Sequence, residues 1–84
     1  MDEVLKLKVR IISLSEVKHV FDADMVVIPG AEGELGVLPL HAPMIVELKA
    51  GDLRIYNDKE IEPLHISGGV ARITSTSVDI LQGE

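Results

Sequence analysis

The side chains of this sequence that could do chemistry are concentrated in residues 29–43, which read Pro-Gly-Ala-Glu-Gly-Glu-Leu-Gly-Val-Leu-Pro-Leu-His-Ala-Pro. Glu32 and Glu34 stand two residues apart, and a pair of carboxylates can act as general acid and base. His41 adds an imidazole, which can both donate and accept a hydrogen bond. Two acids in a glycine-rich loop are more often only solvated, and 84 residues leave little room for the concave pocket that an enzyme needs. A small hydrolase is therefore the weaker interpretation of this segment, and a binding loop is the stronger one.

Other kinds of active site are not expected. His19, His41 and His65 are the only histidines, and none of them has a partner at the short spacing of zinc ligands. There is no cysteine, so thiol catalysis, thiolate metal sites and disulfides are excluded. No serine lies in a nucleophile-elbow sequence, and the three glycines of residues 29–43 do not spell a phosphate-binding loop. We predict no catalytic residue, no metal ion and no cofactor.

The composition limits the class of partner. The chain has 8 basic against 14 acidic residues, a formal net charge of −6, and only two aromatic side chains. Nucleic-acid binding needs clustered basic residues, and single-strand binders also need aromatic stacking platforms. Nucleic acid is therefore not an expected partner, and an acidic domain more plausibly meets a basic protein surface.

The elements that must position residues 29–43 are strands. Residues 4–12 alternate between apolar and basic side chains, a period of two that is typical of a half-buried strand. The sequence predicts strands at 4–12, 17–21, 25–28, 34–38, 44–48, 53–56, 60–66, 70–74 and 78–81, and no helix. Eight to ten short, mostly antiparallel strands predict a single all-β domain over residues 1–84, a small β-sandwich or flattened barrel.

The sequence also predicts which strands pair in two hairpins and which strand lies at a sheet edge. Residues 53–56 are predicted to pair with 60–66 across Asn57-Asp58-Lys59, and 70–74 with 78–81 through residues 75–77. Pro63 cannot donate to a ladder, so its strand is expected at a sheet edge or with a bulge.

Glycine and proline are expected to form the turns, since glycine allows a positive φ and proline fixes φ near −65°. The predicted turn-forming residues are Gly30, Gly33, Gly36, Pro39, Pro43, Gly51, Gly68 and Gly69. They would make residues 29–43 a rigid support for the two glutamates and the histidine.

Residues 27–43, Val-Ile-Pro-Gly-Ala-Glu-Gly-Glu-Leu-Gly-Val-Leu-Pro-Leu-His-Ala-Pro, closely resemble the signature of the epsilon subunit of F-type ATP synthases, whose mitochondrial counterpart is called delta. Leu-Lys-Ala-Gly-Asp-Leu-Arg-Ile at 48–55 follows at the expected distance. Ile-Ser-Gly-Gly-Val-Ala at 66–71 and Val-Asp-Ile-Leu at 78–81 resemble the later blocks of the family, in order. The resemblance covers nearly all of the chain.

The resemblance implies a non-catalytic component of the rotor. In that family a β-sandwich of about ten strands binds the foot of the central gamma stalk and rests on the polar loops of the c-ring. It thereby couples ion-driven rotation, of protons or sodium, to ATP synthesis. The absence of a presequence favours a bacterial member, peripheral on the cytoplasmic side of the inner membrane.

Family members continue from the sandwich into a hairpin of two helices. The 84 residues do not include that hairpin, so its ATPase-inhibitory switch and ATP site are not assigned to this chain. A naturally short subunit and a piece of a longer one both remain open.

The resemblance also implies residue roles. Glu34, and with it Glu32, would face the c-ring loops, while His41, Leu40 and Ser13 would face gamma. The residue before the histidine is usually small in the family, often glycine, so Leu40 departs from the pattern. The alternative is a free-standing β-sandwich adaptor outside the ATP synthase. Binding to gamma would distinguish the ATP synthase subunit from such an adaptor.

Overall fold

The computed structural model describes residues 5–13 and 16–83, which form nine strands and no helix. The strands are β1 (Leu7–Ser13), β2 (Glu16–Ala23), β3 (Met25–Gly30), β4 (Gly33–Val37), β5 (Met44–Leu48), β6 (Gly51–Asn57), β7 (Glu60–Ile66), β8 (Gly69–Ile73) and β9 (Ser77–Gln82). The all-β prediction is confirmed. Val4, at the start of the first predicted strand, and residues 14 and 15, in the break after it, lie outside the described residues.

The strands belong to one curled sheet in the order β2-β1-β9-β8-β5-β3-β6-β7. β4 lies off this path and pairs with β3. We call β2, β1, β9, β8 and β5 the first layer, and β4, β3, β6 and β7 the second layer. The strand pairing between the layers consists of Gly30 with Leu48, flanked by hydrogen bonds from the Ala31 N–H to the Glu47 carbonyl oxygen and from the Lys49 N–H to the Pro29 carbonyl oxygen. Every pairing is antiparallel except that of β1 with β9, which is parallel.

The two layers enclose one aliphatic core. Side chains alternate across a strand, so every second residue of each strand points between the layers. The core side chains from both layers that are nearly fully buried include Leu7, Val9, Ile11, Val26, Ile28, Leu53, Ile55, Ile73, Val78 and Ile80. Each contributes about 1.5–3 kcal/mol relative to an exposed side chain. The chain has only two aromatic residues, and the buried core consists of aliphatic side chains.

Both predicted hairpins are present. β6 pairs with β7 and β8 with β9. The β6–β7 turn has two residues, Asp58 and Lys59, because Asn57 pairs with Glu60, and Asp58 takes the left-handed conformation. Pro63 lies in β7, the last strand of the sheet, so its missing N–H costs no ladder bond on the open side.

The chain turns tightly between β3 and β4. Gly30 pairs with Gly33 around Ala31 and Glu32, and a side chain at Gly30 would come within 2.6 Å of the Gly33 carbonyl oxygen. Gly36, expected in a turn, lies instead inside β4 opposite Val27. A Cβ there would make only ordinary contact, so neither a turn nor crowding requires this glycine.

A polar clamp holds the corner where β2 leads into β3. Lys6 Nζ lies 2.8 Å from a carboxylate oxygen of Asp24 and 2.6 Å from Asn57 Oδ1. The Asp58 backbone N–H donates to Asp24 Oδ2, which ties the β6–β7 turn to the same corner. The hydrogen bond between the two charged groups raises the pKa of Lys6 and lowers the pKa of Asp24.

Candidate protein-binding surfaces

Glu32 and Glu34 lie at the tip and on one strand of the β3–β4 hairpin. Glu32 is in the turn, and Glu34 faces Pro29 across the hairpin with its side chain exposed. Arg54, on β6, reaches over the outside of the second layer, and its Nη2 lies 3.1 Å from Glu34 Oε1. This surface ion pair orients the Glu34 carboxylate, which stays 58% exposed and accessible to a partner.

An open groove of about 430 Å³ runs beside these acids. Its lining combines the carboxylates of Glu32, Glu34 and Glu47 with apolar side chains, among them Met44 and Ile45. The sequence predicted little room for a pocket, and this groove contradicts that prediction. However, the lining has no hydroxyl, thiol, imidazole or amine, so its chemistry is limited to carboxylates. Such a groove suits a side chain with a cationic or amide head and an apolar stem.

Leu40 and His41 form a type II turn at the other end of the molecule. The His41 N–H donates to the Leu38 carbonyl oxygen at 3.2 Å, Pro39 is the second residue, and Leu40 has a φ of 70°. The Leu40 N–H donates to the Ser75 carbonyl oxygen at 2.7 Å, which fixes the turn to the β8–β9 loop. The Leu40 side chain is consequently held out into solvent, 67% exposed.

His41 is half-buried, and its Nδ1 lies 2.8 Å from the Ala42 carbonyl oxygen. Since the imidazole has two ring nitrogens, Nε2 is the one available to a partner.

Ser13 ends β1, opposite Gln82 of β9 and Glu16 of β2. Strand alternation puts it on the same side of the first layer as Val9 and Ile11, which is the core side. Leu40, by contrast, is bonded next to the start of β9. Since β9 rises about 3.3 Å per residue, Ser13 and Leu40 are separated by roughly 17 Å along the strands. The structure therefore does not bring the three predicted gamma-side residues together at one point.

The sequence analysis missed an apolar row across the outer face of the first layer, the side away from the core. Strand pairing aligns Val17 of β2 with Ile12, Ile12 with Leu81, and Leu81 with Val70. Val17, Leu81 and Val70 are 38–50% exposed. We call these four residues the apolar row. No sequence signal could have found it, because it depends on the parallel pairing of β1 with β9, whose sequences are almost 70 residues apart.

Next to the apolar row lies an ionic triad. Asp79 of β9 is flanked in register by Arg10 of β1 and Arg72 of β8. Arg10 donates to both Asp79 oxygens, from Nε at 2.8 Å and Nη2 at 2.9 Å, and Arg72 Nη2 donates to Oδ2 at 2.9 Å. The Asp79 side chain is only 3% exposed although it points outward, because the two arginines cover it. The register row of the triad continues to Val20 of β2, opposite Arg10, and to Ile45 of β5, opposite Arg72.

The remaining histidines make local contacts. His19 stacks on Phe21, and His65 Nδ1 lies 2.9 Å from an Asp52 oxygen. Within residues 5–13 and 16–83, no three His, Asp or Glu residues are grouped so that they could hold a metal ion. Over the same residues there is no helix with the length and apolarity needed to cross a membrane.

The chain is similar in sequence to proteins named "ATP synthase epsilon chain". It is 54% identical over 59 residues to that of Granulibacter bethesdensis, an alignment covering 69% of this chain and 44% of the relative. It is 42% identical over 77 residues to that of Acidithiobacillus ferridurans, covering 92% of this chain and 55% of the relative. The chain thus spans about half the length of these two relatives.

The fold is similar to a chain in the cryo-EM structure of the Euglena gracilis mitochondrial ATP synthase, OSCP/F1/c-ring in rotational state 1. The TM-score is 0.82 at 27% sequence identity, and the match covers 94% of this chain and 51% of that one. The sequence pattern of the family described as "ATP synthase, Delta/Epsilon chain, beta-sandwich domain" matches residues 6–84. This match extends over nearly the whole chain, so the protein belongs to the ATP synthase Delta/Epsilon chain beta-sandwich family.

Proposed function

We propose that this domain is a non-catalytic rotor component of a proton-translocating F-type ATP synthase, which binds gamma and the c-ring and couples rotation to ATP synthesis. Its relatives are named ATP synthase epsilon chains, and its structural neighbour belongs to an assembly with F1 and a c-ring. The observation that carries the proposal is the exposed apolar row, because contiguous apolar side chains on an open sheet face are typical of a protein-binding surface.

The outer face of the first layer is the proposed gamma surface. The apolar row spans four strands, and with a spacing of about 4.8 Å between strands its Cα atoms extend over roughly 14 Å. Ser13 follows Ile12 at one end of this layer, and the Leu40–His41 turn lies at the other end. The Leu40–His41 turn would therefore lie beyond one end of the apolar row and Ser13 beyond the other, with the Ser13 side chain turned to the core side of β1.

The groove beside Glu32 and Glu34 is the proposed c-ring surface. Its carboxylates can pair with basic or amide groups of the ring loops, and its apolar lining can take the stems of those side chains. Arg54 holds the Glu34 carboxylate before binding, which lowers the ordering cost of the contact.

The two proposed surfaces belong to one hydrogen-bonded sheet. Residue pairing runs without a break from Ser13 through Gln82, Gly69 and Leu48 to Gly30, at the base of the β3–β4 hairpin. In this proposal, force applied at the groove would reach the outer face through this ladder. In this role the domain lies at the cytoplasmic side of a bacterial inner membrane, attached through the complex and not inserted.

Binding to gamma tests the first contact. The 84-residue chain is titrated with gamma of the same organism by isothermal calorimetry, together with Leu81→Ser and Ile61→Ser. Leu81 lies in the apolar row, whereas Ile61 is an exposed aliphatic residue of β7 in the other layer. We expect Leu81→Ser to weaken binding by about 1–3 kcal/mol, the loss of one buried aliphatic contact, and Ile61→Ser to leave it unchanged.

A chain that does not bind gamma would refute the proposal and leave the free-standing adaptor as the better interpretation. Equal losses for Leu81→Ser and Ile61→Ser would place the gamma contact elsewhere on the domain.

Proton-driven ATP synthesis in inner-membrane vesicles tests the second contact. Glu34→Ala is expected to lower the coupled rate while leaving the domain folded, because the ring loses its fixed carboxylate. Glu62→Ala, which removes an exposed carboxylate from β7, serves as the matched control. An unchanged synthesis rate and unchanged ring binding in Glu34→Ala would contradict this role.

A further inference from the structure

We propose that the Arg10–Asp79–Arg72 triad makes the outer face specific for a partner surface that is apolar and presents a carboxylate. The inference rests on the proposed function in one respect, since gamma is taken as the protein that brings this surface.

The triad itself carries a local positive charge on an acidic chain, and the same face also carries the carboxylate of Glu47, in register with Val70. Two guanidinium groups surround one carboxylate, which leaves a formal charge of +1, whereas the whole chain carries −6. The charge is not diffuse, because all three side chains lie in one register row across β1, β9 and β8. This row is two residues, about 7 Å, from the apolar row, so a partner that covers the apolar row also covers the triad.

Neutralising Asp79 does not require both arginines. Arg10 already donates two hydrogen bonds to it, one to each carboxylate oxygen, in the bidentate geometry that is strongest for such pairs. Arg72 adds one further bond and a second full charge while its side chain stays 59% exposed. Arg72 is therefore the member of the triad whose charge exceeds what the buried carboxylate needs.

The arginines also keep donors for a partner. In the described part of the chain, Arg10 Nη1 and Arg72 Nε and Nη1 donate no hydrogen bond. Docking an apolar surface here removes water from these groups, and an uncompensated buried charge is strongly unfavourable. A carboxylate on the partner satisfies both the extra charge and the free donors, whereas a basic or purely apolar partner is rejected.

The experiment compares binding of gamma to the parent chain and to three variants at Arg72 and one matched control. Arg72→Gln and Arg72→Met both remove the charge, and Arg72→Met keeps the aliphatic length. Arg72→Lys keeps the charge. Lys59→Gln makes the same charge change at an exposed position in the β6–β7 turn of the second layer. Circular dichroism and thermal unfolding of each variant establish that the sheet is intact, and the two neutral variants give independent readings if one of them unfolds.

Both neutral variants are expected to raise the Kd for gamma about tenfold or more, the usual size for truncating one side of a desolvated charge pair. Arg72→Lys is expected to stay within about threefold of the parent, because the point charge remains. Lys59→Gln is expected to bind as the parent does.

Four results would overturn the inference or its basis, and they are distinguishable. If the parent binds gamma and the neutral Arg72 variants bind equally well, the triad does not select the partner, although the proposed function stands. If Lys59→Gln loses as much affinity as Arg72→Gln, the effect is one of total charge and not of this face. If the parent does not bind gamma, the proposed function itself fails. If the parent dimerises through this face in analytical ultracentrifugation, and only dimerisation responds to Arg72→Gln, the occupant is a second copy of the chain.

Discussion

Single residues of this domain are held in conformations that their side chains do not favour. Leu40 is the clearest case, because it takes a φ of 70° in a turn whose third position normally requires glycine. The backbone N–H of Leu40 is fixed by Ser75, so the turn cannot relax without losing a hydrogen bond. A glycine would take this conformation without strain, whereas the leucine side chain is directed into solvent.

Leu40→Gly is expected to stabilise the domain. A left-handed conformation costs a residue with a Cβ about 1–2 kcal/mol, and the greater freedom of glycine in the unfolded chain offsets about 0.5–1 kcal/mol of that gain. The net increase in the free energy of unfolding is thus between zero and about 1.5 kcal/mol, measured by urea denaturation. Leu38→Gly is the control, an exposed neighbour without positive φ, and should destabilise. A loss of stability in both variants would contradict the argument.

Two glycines of the same domain should respond in opposite directions to alanine. Gly69 has a φ of 131°, and a Cβ there would overlap the Leu81 carbonyl oxygen of the neighbouring strand. Gly69→Ala is therefore expected to cost at least about 1–3 kcal/mol from backbone strain alone. Gly36→Ala should be neutral or gain up to about 1 kcal/mol, since its Cβ has space. Thermal unfolding of both variants measures the difference, and equal effects would refute it.

At the scale of elements, the corner between β2 and β3 depends on the Lys6 clamp. The backbone N–H of Asp24 donates to the Tyr56 carbonyl oxygen at 2.7 Å, and the carboxylate of the same residue pairs with Lys6. Lys6 thereby connects the start of the first layer to the β6–β7 turn of the second. The matching ion pair of Lys8 with Asp22 is more exposed and joins only neighbouring strands.

The clamp makes stability depend on pH in two windows. The pKa of Asp24 is lowered below its usual 3.8, so its contribution is complete above that pH and is lost as the pH falls below it. The pKa of Lys6 is raised above its usual 10.5, so its contribution is complete below that pH and is lost above it.

Urea midpoints of the parent, Lys6→Met and Lys8→Met from pH 2 to 7 test the acid window. The parent should lose more stability below pH 3.8 than Lys6→Met does, while Lys8→Met should follow the parent. Parallel curves for the parent and Lys6→Met would show that the clamp does not contribute.

At the scale of the whole molecule, stability rests on one small aliphatic core shared by both layers. At about 0.05–0.15 kcal/mol per residue, a domain of this length is stable by roughly 4–13 kcal/mol. Ile80 lies fully buried in β9, between β1 and β8. Ile80→Ala is expected to remove about 2–5 kcal/mol, a large part of the total, and Ile80→Val about 0.5–1.5 kcal/mol.

Partner binding should restore part of that loss. A ligand that binds only the folded state at 100 times its Kd adds about 2.7 kcal/mol. We therefore expect gamma to raise the melting temperature of both the parent and Ile80→Val, measured by differential scanning fluorimetry. An unchanged melting temperature in the presence of gamma would count against the proposed interface.

The sequence by itself determined the strands, the hairpins and the edge position of β7. These features depend on local causes, such as alternation along residues 7–13, the turn at Asp58 and the missing N–H of Pro63. The motif at residues 27–43 and the blocks after it also identified the family, because side-chain types and their order are properties of the chain alone. Gly36 was misplaced because glycine is equally compatible with an open strand position and with a turn.

Only the tertiary structure decided which residues share a surface. The parallel pairing of β1 with β9 brings Arg10 beside Asp79 and Ile12 beside Leu81, and no local signal specifies a contact across about 70 residues. The same pairing separates Ser13 from the Leu40–His41 turn, which the sequence had grouped together. Surfaces form from register between distant strands, and that register is set by burial of the whole core and not by any one segment.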